Sequence, residues 1–218
     1  GDVYKRQAHN QLHAWVKRAA SKVTVAVDGS ELYPSVSVEI KSIQIKDIPS
    51  ICYLGKDNKA SSHTLIQDGE TLSVADGTWS TVTKNQPYYY YGMQEGMSMA
   101  DARQAAHSQT AEALYFFENM QGTGQSKKQV WPDTPSGSTQ YPDGNNPTSD
   151  GYKDRIVAGT YVEVIGYYKN NAGEGPIIYR FMLGKDTDKD YNAQRNYHYK
   201  LTLKLKNNAN DNDWHIVY

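Results

Sequence analysis

Two histidines four residues apart, three aspartates at alternate positions and a glycine-rich run ending in two lysines are the stretches whose residue types could do chemistry. His9 and His13 would share one face of a helix, the spacing that zinc proteases use. Asn10-Gln11-Leu12 lies between them, so the general-base carboxylate of such a helix is missing and no third ligand is indicated. Asp186, Asp188 and Asp190 resemble the start of a calcium loop. An EF-hand loop also needs Gly at its sixth position and Glu at its twelfth, and those positions hold Tyr191 and Tyr197. The alternative is a solvated hairpin tip whose carboxylates accept from nearby backbone amides. The run Gly122-Thr123-Gly124-Gln125-Ser126-Lys127-Lys128 has the wrong spacing for a phosphate-binding loop and no strand-loop-helix context. Cys52 is the single cysteine and has no evident His partner, so the expectation is a structural thiol. Nothing here assembles a nucleophile, a base and an orienting group. The chain reads as a non-enzymatic protein with no metal and no cofactor.

The elements that would position any site are strands. Gly159 to Tyr218 contains four strand-like runs, Tyr161–Tyr168, Ile177–Leu183, Tyr197–Lys206 and Trp214–Tyr218, separated by Asn, Gly and Asp clusters. In the third run Tyr197, Tyr199, Leu201, Leu203 and Leu205 alternate with His198, Lys200, Thr202, Lys204 and Lys206. Strand side chains alternate faces, so this run calls for one buried face and one wet face. Several such runs at short spacing mean an antiparallel sandwich or barrel.

Further upstream, Val23, Val25 and Val27 alternate with Lys22, Thr24 and Ala26, and Asp28-Gly29-Ser30 signals a turn. Val36–Ile48 is a long strand whose apolar residues change phase: Val36, Val38 and Ile40 are even, Ile43 and Ile45 odd. A period of two changes phase only where a residue is inserted, which predicts a β-bulge or break at Lys41–Ser42. Thr64–Val74 and Thr78–Thr83 are weaker strand patterns. Residues 8–21 read as a short helix or a linker. Ser98–Ala113 is an alanine-rich helix with Ser98 and Asp101 as its start signal, and Ala113–Asn119 a short central strand. Residues 121–154 form a long Gly-, Ser- and Pro-rich loop.

The 218 residues carry a net charge of −1 with both signs interspersed, which leaves no electrostatic footprint for nucleic acid. No run of about 18 apolar residues exists to span a bilayer as a helix. There are 18 Tyr against 3 Phe, a usage that suits half-buried sheet faces and exposed contact surfaces alike. Four consecutive tyrosines, Tyr88 to Tyr91, would place two rings on each face of a strand. They mark either a strand with both faces half covered or a surface that stacks on sugars.

Three segments taken together resemble a known family. They are RAASKVTV (Arg18 to Val25), FFENMQG (Phe116 to Gly122), and GPIIYRFMLG, YNAQRNYHYKLTLKLK and DWHIVY within Gly175 to Tyr218. A strand ending in Leu-Gly, an Asp/Asn-rich loop, Arg195-Asn196 and then an alternating Tyr/Leu strand is the most specific part. These features are similar to the fimbrillin-like proteins of Bacteroidales, the subunits of the type V pilus, and to a subgroup of fimbrial-type lipoproteins from gut members of that order.

That resemblance implies an all-β, transthyretin-like antiparallel sandwich of about seven core strands. It implies export to the cell surface as an outer-membrane lipoprotein, with the signal and lipid anchor outside this chain. It also implies partners: other fimbrial subunits, joined by strand exchange, in which an extended segment of one subunit completes the sheet of the next. On this reading residues 1–20 are an N-terminal segment or linker, and residues 21–218 are one domain of a longer two-domain subunit. Arg18 matches the position where a trypsin-like protease processes family members, or else simply sits in the linker. The adhesive surface would be Tyr88, Tyr89, Tyr90 and Tyr91 together with Trp131 in the long loop. Host or bacterial surface glycans or proteins are further partners on this reading, and the competing reading is a surface carbohydrate-binding sandwich.

Overall fold

The computed structural model describes residues 18–56, 58, 65–74, 77–123, 127 and 159–217. The first half of the chain supplies β1 (Ala20–Leu32), β2 (Ser37–Pro49), β3 (Leu65–Ser73), β4 (Thr81–Thr83) and β5 (Tyr88–Tyr90). A short helix α1 (Met99–Ala105) leads to β6 (Leu114–Phe117) and β7 (Asn119–Thr123). Then come β8 (Tyr161–Asn170), β9 (Gly173–Met182), β10 (Asp190–Ala193), β11 (His198–Asn207) and β12 (Asp211–Val217). One sheet runs β12-β11-β1-β5, with β6 also paired to β1; the second runs β3-β2-β8-β9, with β4 paired to β2; β10 and β7 form a separate ribbon. The described residues form an all-β sandwich-like fold with a short helix, α1. The described residues hold twelve strands in all, ten of them in the two sheets.

Alternation places the core. Tyr199, Leu201, Leu203 and Leu205 are all buried, as the pattern demands, and each fully buried side chain contributes roughly 1.5–3 kcal/mol. Tyr197 departs from it: it precedes the strand, after Asn196 in a left-handed conformation (φ 67), and stays 43 % exposed. The phase change in β2 is a bulge. Pairing with β8 slips between Ile40 and Ser42, so Lys41 is the extra residue, and Val38, Ile40, Ile43 and Ile45 all reach the core.

Four expectations need correction. The sheets are not wholly antiparallel, because β1 runs parallel to β11, with Val23 opposite Tyr199 and Val27 opposite Leu203. Parallel neighbours need a long crossover, and here nearly the whole chain lies between the two strands. Asp28-Gly29-Ser30 is not a turn. β1 continues through it with a register shift, and a Cβ on Gly29 would run into Val82 of β4. The alanine-rich helix spans only Met99–Ala105, although its cap is as expected: the Asp101 N–H donates to Ser98 Oγ at 3.1 Å. Finally, β6 is an edge strand rather than a central one. Among the described residues it pairs only with β1, and Tyr115 and Phe117 face solvent.

Candidate functional site

The start of β1 and the turn entering β11 lock together where the ladder between the two strands begins. Asn196 N–H donates to Ala20 O (3.2 Å), Lys22 N–H to Tyr197 O (3.1 Å) and Tyr197 N–H to Ser21 Oγ (2.9 Å). The Ser21 hydroxyl in turn donates to Gln194 O at 2.7 Å. Over this floor lies a cleft of about 610 Å³, walled by Arg18, Lys22, Gln109, Tyr115, Asn196, Tyr197 and His198. A second cleft of about 230 Å³ adjoins it, lined by Met120, Lys185, Asp190, Asn192, Gln194, Tyr197 and Tyr199. Tyr197 is the wall they share.

Behind the floor sits a buried polar cluster. Arg195 Nε is 3.4 Å from Glu118 Oε2, and both side chains are almost wholly buried. Arg195 also donates through Nη1 to Tyr53 O (2.7 Å) and through Nη2 to Lys56 O (3.3 Å). Asn58, fully buried, donates to Glu118 Oε2 at 2.9 Å and to Tyr53 O at 3.1 Å. Buried charges survive only when paired and hydrogen-bonded. This pair is both, and it clamps the loop after β2 to the β10–β11 turn.

On the outer face of β1 the Thr24 hydroxyl bridges two imidazoles, His107 Nδ1 at 2.8 Å and His198 Nε2 at 2.9 Å. His107 Nε2 lies 3.3 Å from Thr202 Oγ1. Burial pushes both histidines down to about 4; His198 and Lys200 add to the shift at His107, and Lys22 and Lys200 at His198. Both rings are therefore neutral at pH 7. The bridge fastens the segment after α1 onto the sheet, which carries Gln109 to the cleft, where its carbonyl accepts from Lys22 Nζ at 2.9 Å.

The opposite flank of the sandwich ends in a seam between the edge strands β9 and β12. Phe181 and Trp214 meet there with ring centroids 5.3 Å apart. Asn212 and Trp214 lie opposite Leu205 and Leu203, so they share the core-facing side of β12. Asn212 Oδ1 and Trp214 Nε1 are buried and have no hydrogen-bond partner.

Most residues singled out from the sequence lie elsewhere. Tyr88, Tyr89 and Tyr90 are buried and Tyr91 half-buried, so this run is not an exposed stacking surface. Their strand is covered on both sides, with Trp79 5.9 Å from the Tyr89 ring and Arg103 over the Tyr88 ring. Trp131, His9, His13 and His63 lie outside the described residues, as does most of the 121–154 loop. Arg18 is exposed and lines the larger cleft. Cys52 is half-buried rather than buried, 3.4 Å from Ala19 O and 3.9 Å from Arg195 Nη1. The three aspartates run through the loop from β9 into β10; those strands pair with β8 and β7 rather than with each other, so the loop is not the expected hairpin tip. Asp186 Oδ1 accepts from the N–H groups of Asp188, Lys189 and Asp190, which lowers its pKa, and Lys127 Nζ donates to Asp186 O. The lysine ammonium thus already supplies a cation to this loop. Among the described residues no group of three metal-ligating side chains converges.

The clefts were not anticipated from the sequence. Tyr115, Gln109 and Asn196 carry no spacing signal, because three distant segments meet to form the wall. The Arg195-Asn196 dipeptide was the one legible hint: its Arg anchors the floor and its Asn takes the left-handed turn.

Comparison with known proteins adds little beyond this geometry. A family described as a domain of unknown function, DUF4906, matches residues 114–203, from β6 into β11. No curated protein matches. Among solved structures the chain is similar to one described as a "putative cell adhesion protein" from Bacteroides eggerthii, with 12 % sequence identity and a TM-score of 0.44. The similarity covers 92 % of this chain and 55 % of that one, so the chain spans about half that protein's length.

Proposed function

We propose that this chain is a domain of a bacterial surface protein, a structural or adhesive fimbrial subunit that joins its neighbours by strand addition. The seam between β9 and β12 carries this reading. Each strand is paired on one side only among the described residues, and two buried polar atoms on β12 lack partners. An exposed ladder edge invites an added strand. A buried donor or acceptor left unsatisfied costs about 1–3 kcal/mol, which a polar side chain of the incoming strand, turned into the seam, would recover.

The resemblance noted in the sequence supports the same reading. Two of its three segments, FFENMQG and the Arg195-Asn196 turn, supply the two halves of one buried ion pair. Other fimbrial subunits are the proposed partners, and the outer surface of the cell the proposed location. The mechanism is mechanical, and no catalytic step belongs to it.

Assembly of the full-length protein tests the proposal. After processing at its N-terminus it should give ladders on unheated SDS gels. Hydrogen exchange should then show the amides of Gly173–Met182 or Asp211–Val217 gaining protection in the polymer. Absence of polymer after processing, or polymer without new protection in either strand, would overturn the reading.

A further inference from the structure

We propose that the two clefts sharing Tyr197 form one groove for an acidic oligosaccharide. This places sugar binding far from the tyrosine run that the sequence pointed to, and it holds whether or not subunits join by strand addition.

The larger cleft, about 610 Å³, lies within the roughly 300–1,000 Å³ of small-molecule sites, and the adjoining 230 Å³ extends it past Tyr197. Two tyrosines with large exposed faces flank the groove, Tyr115 at 56 % and Tyr197 at 43 %. A tyrosine ring offers an apolar face to the C–H side of a sugar and a hydroxyl to its rim. Among the described residues the side-chain amides of Gln109 and Asn196 have no hydrogen-bond partner, and an amide both donates and accepts, as a sugar hydroxyl requires.

Charge selects an acidic ligand. The larger cleft is lined by Arg18 and Lys22 and by no carboxylate. The guanidinium presents a planar fork that matches a carboxylate, and Lys22 keeps donors beyond the one given to Gln109 O. The one carboxylate of the smaller cleft, Asp190, is occupied: its Oδ1 accepts from the N–H groups of Lys185 and Asn192, and its Oδ2 from Asn192 Nδ2. The acidic unit therefore belongs in the larger cleft, and the chain continues past Tyr197.

An acidic peptide fits less well. An extended peptide is held mainly through its backbone, which needs an open ladder edge. The floor has none to give, because the amides of Lys22, Asn196 and Tyr197 already donate within it, and the one edge strand at the cleft, β6, is only four residues long. Recognition by side chains is the mode that suits a saccharide. The same locked floor keeps the walls in place before the ligand arrives, which lowers the cost of binding.

The test is a glycan array carrying glucuronate-, galacturonate- and sialate-containing oligosaccharides beside neutral oligosaccharides, followed by calorimetry on the best acidic trisaccharide and on a hexaglutamate peptide. The full-length protein should retain acidic glycans in a salt-sensitive way. Tyr115→Ala, which removes an exposed ring and leaves the melting temperature unchanged, should weaken binding about tenfold, as should Lys22→Gln. Hexaglutamate should bind more weakly than the trisaccharide. The proposal is overturned if no acidic glycan is retained above the neutral controls, if Tyr115→Ala binds as well as the parent, or if hexaglutamate matches the trisaccharide.

Discussion

Arg195 lies with its Nε 3.4 Å from Glu118 Oε2, and its own backbone N–H donates to Glu118 Oε1 at 3.3 Å. The two residues are 77 positions apart, at the β6–β7 junction and in the turn before β11. One carboxylate thus holds both the side chain and the backbone of the arginine. Through Arg195 it also holds the carbonyls of Tyr53 and Lys56.

Removing one partner of such a pair leaves a buried charge without compensation, which typically costs about 3–5 kcal/mol. Glu118→Ala should lower the unfolding free energy, read from urea denaturation, by an amount in that range and expose the loop after β2 to proteolysis. The double change Glu118→Leu with Arg195→Met should recover part of the loss. A double-mutant cycle with no coupling would show that the pair does not act as a unit.

The bulge in β2 makes a sharper prediction about sequence phase. Deleting Lys41 would force either Val38 and Ile40 or Ile43 and Ile45 out of the core, and the protein should fail to fold. Lys41→Ala keeps the residue count and should change stability by no more than about 0.5 kcal/mol. Expression and circular dichroism of the two variants separate these outcomes.

Tyr89 is 1 % exposed and its hydroxyl has no hydrogen-bond partner. Tyr89→Phe should therefore be neutral or mildly stabilising, because it removes an unsatisfied buried group. Tyr89→Ala should cost about 3–5 kcal/mol through lost packing. A stacking role at the surface would instead leave stability untouched in both variants.

The Thr24 bridge makes folding sensitive to acid. His107 and His198 titrate near 4 when folded and near 6.5 when unfolded. Between those values the unfolded chain binds protons that the folded chain refuses, so stability falls as pH drops from about 6.5 to about 4. Asp47 runs the other way. Burial raises it to about 6 from 3.8, so its contribution grows on acidification and is lost as pH rises through 6. The histidine part is isolated by comparison with a variant. His107→Gln should flatten the curve of stability against pH between 6.5 and 4, measured by chemical denaturation at each pH. An unchanged slope would remove His107 as its source.

Gly184 closes β9 in the Leu-Gly motif, and a Cβ there would collide with the backbone carbonyl of Asp190. Gly184→Ala should lower the melting temperature by several degrees, a cost of about 1–3 kcal/mol for a tight overpacking. Gly96, where a Cβ meets nothing, is the control for space, though its positive φ (77°) still disfavours alanine.

What the sequence determined by itself was most of what depends on neighbours along the chain, the turn signal at Asp28-Gly29-Ser30 and the length of the helix excepted. Alternation is a property of one strand, so the buried face of β11, the phase change at Lys41 and the cap at Ser98 were all legible. The bonding of Asp186 to local backbone amides was legible for the same reason, since its partners are two to four residues away, but the hairpin expected around it does not form, because β9 and β10 pair with other strands. The tertiary structure decided whatever depends on which segments meet. Tyr88 to Tyr90 read as a two-faced strand in either environment, and only the cover supplied by Trp79 and the helix buried them. Pairing of β1 with β11 is parallel because strands far apart in the sequence were brought side by side, and strand propensity does not encode direction. The groove follows from that pairing: Arg18 and Lys22 face Asn196, Tyr197 and His198 only because β1 and β11 enter the sheet from the same end.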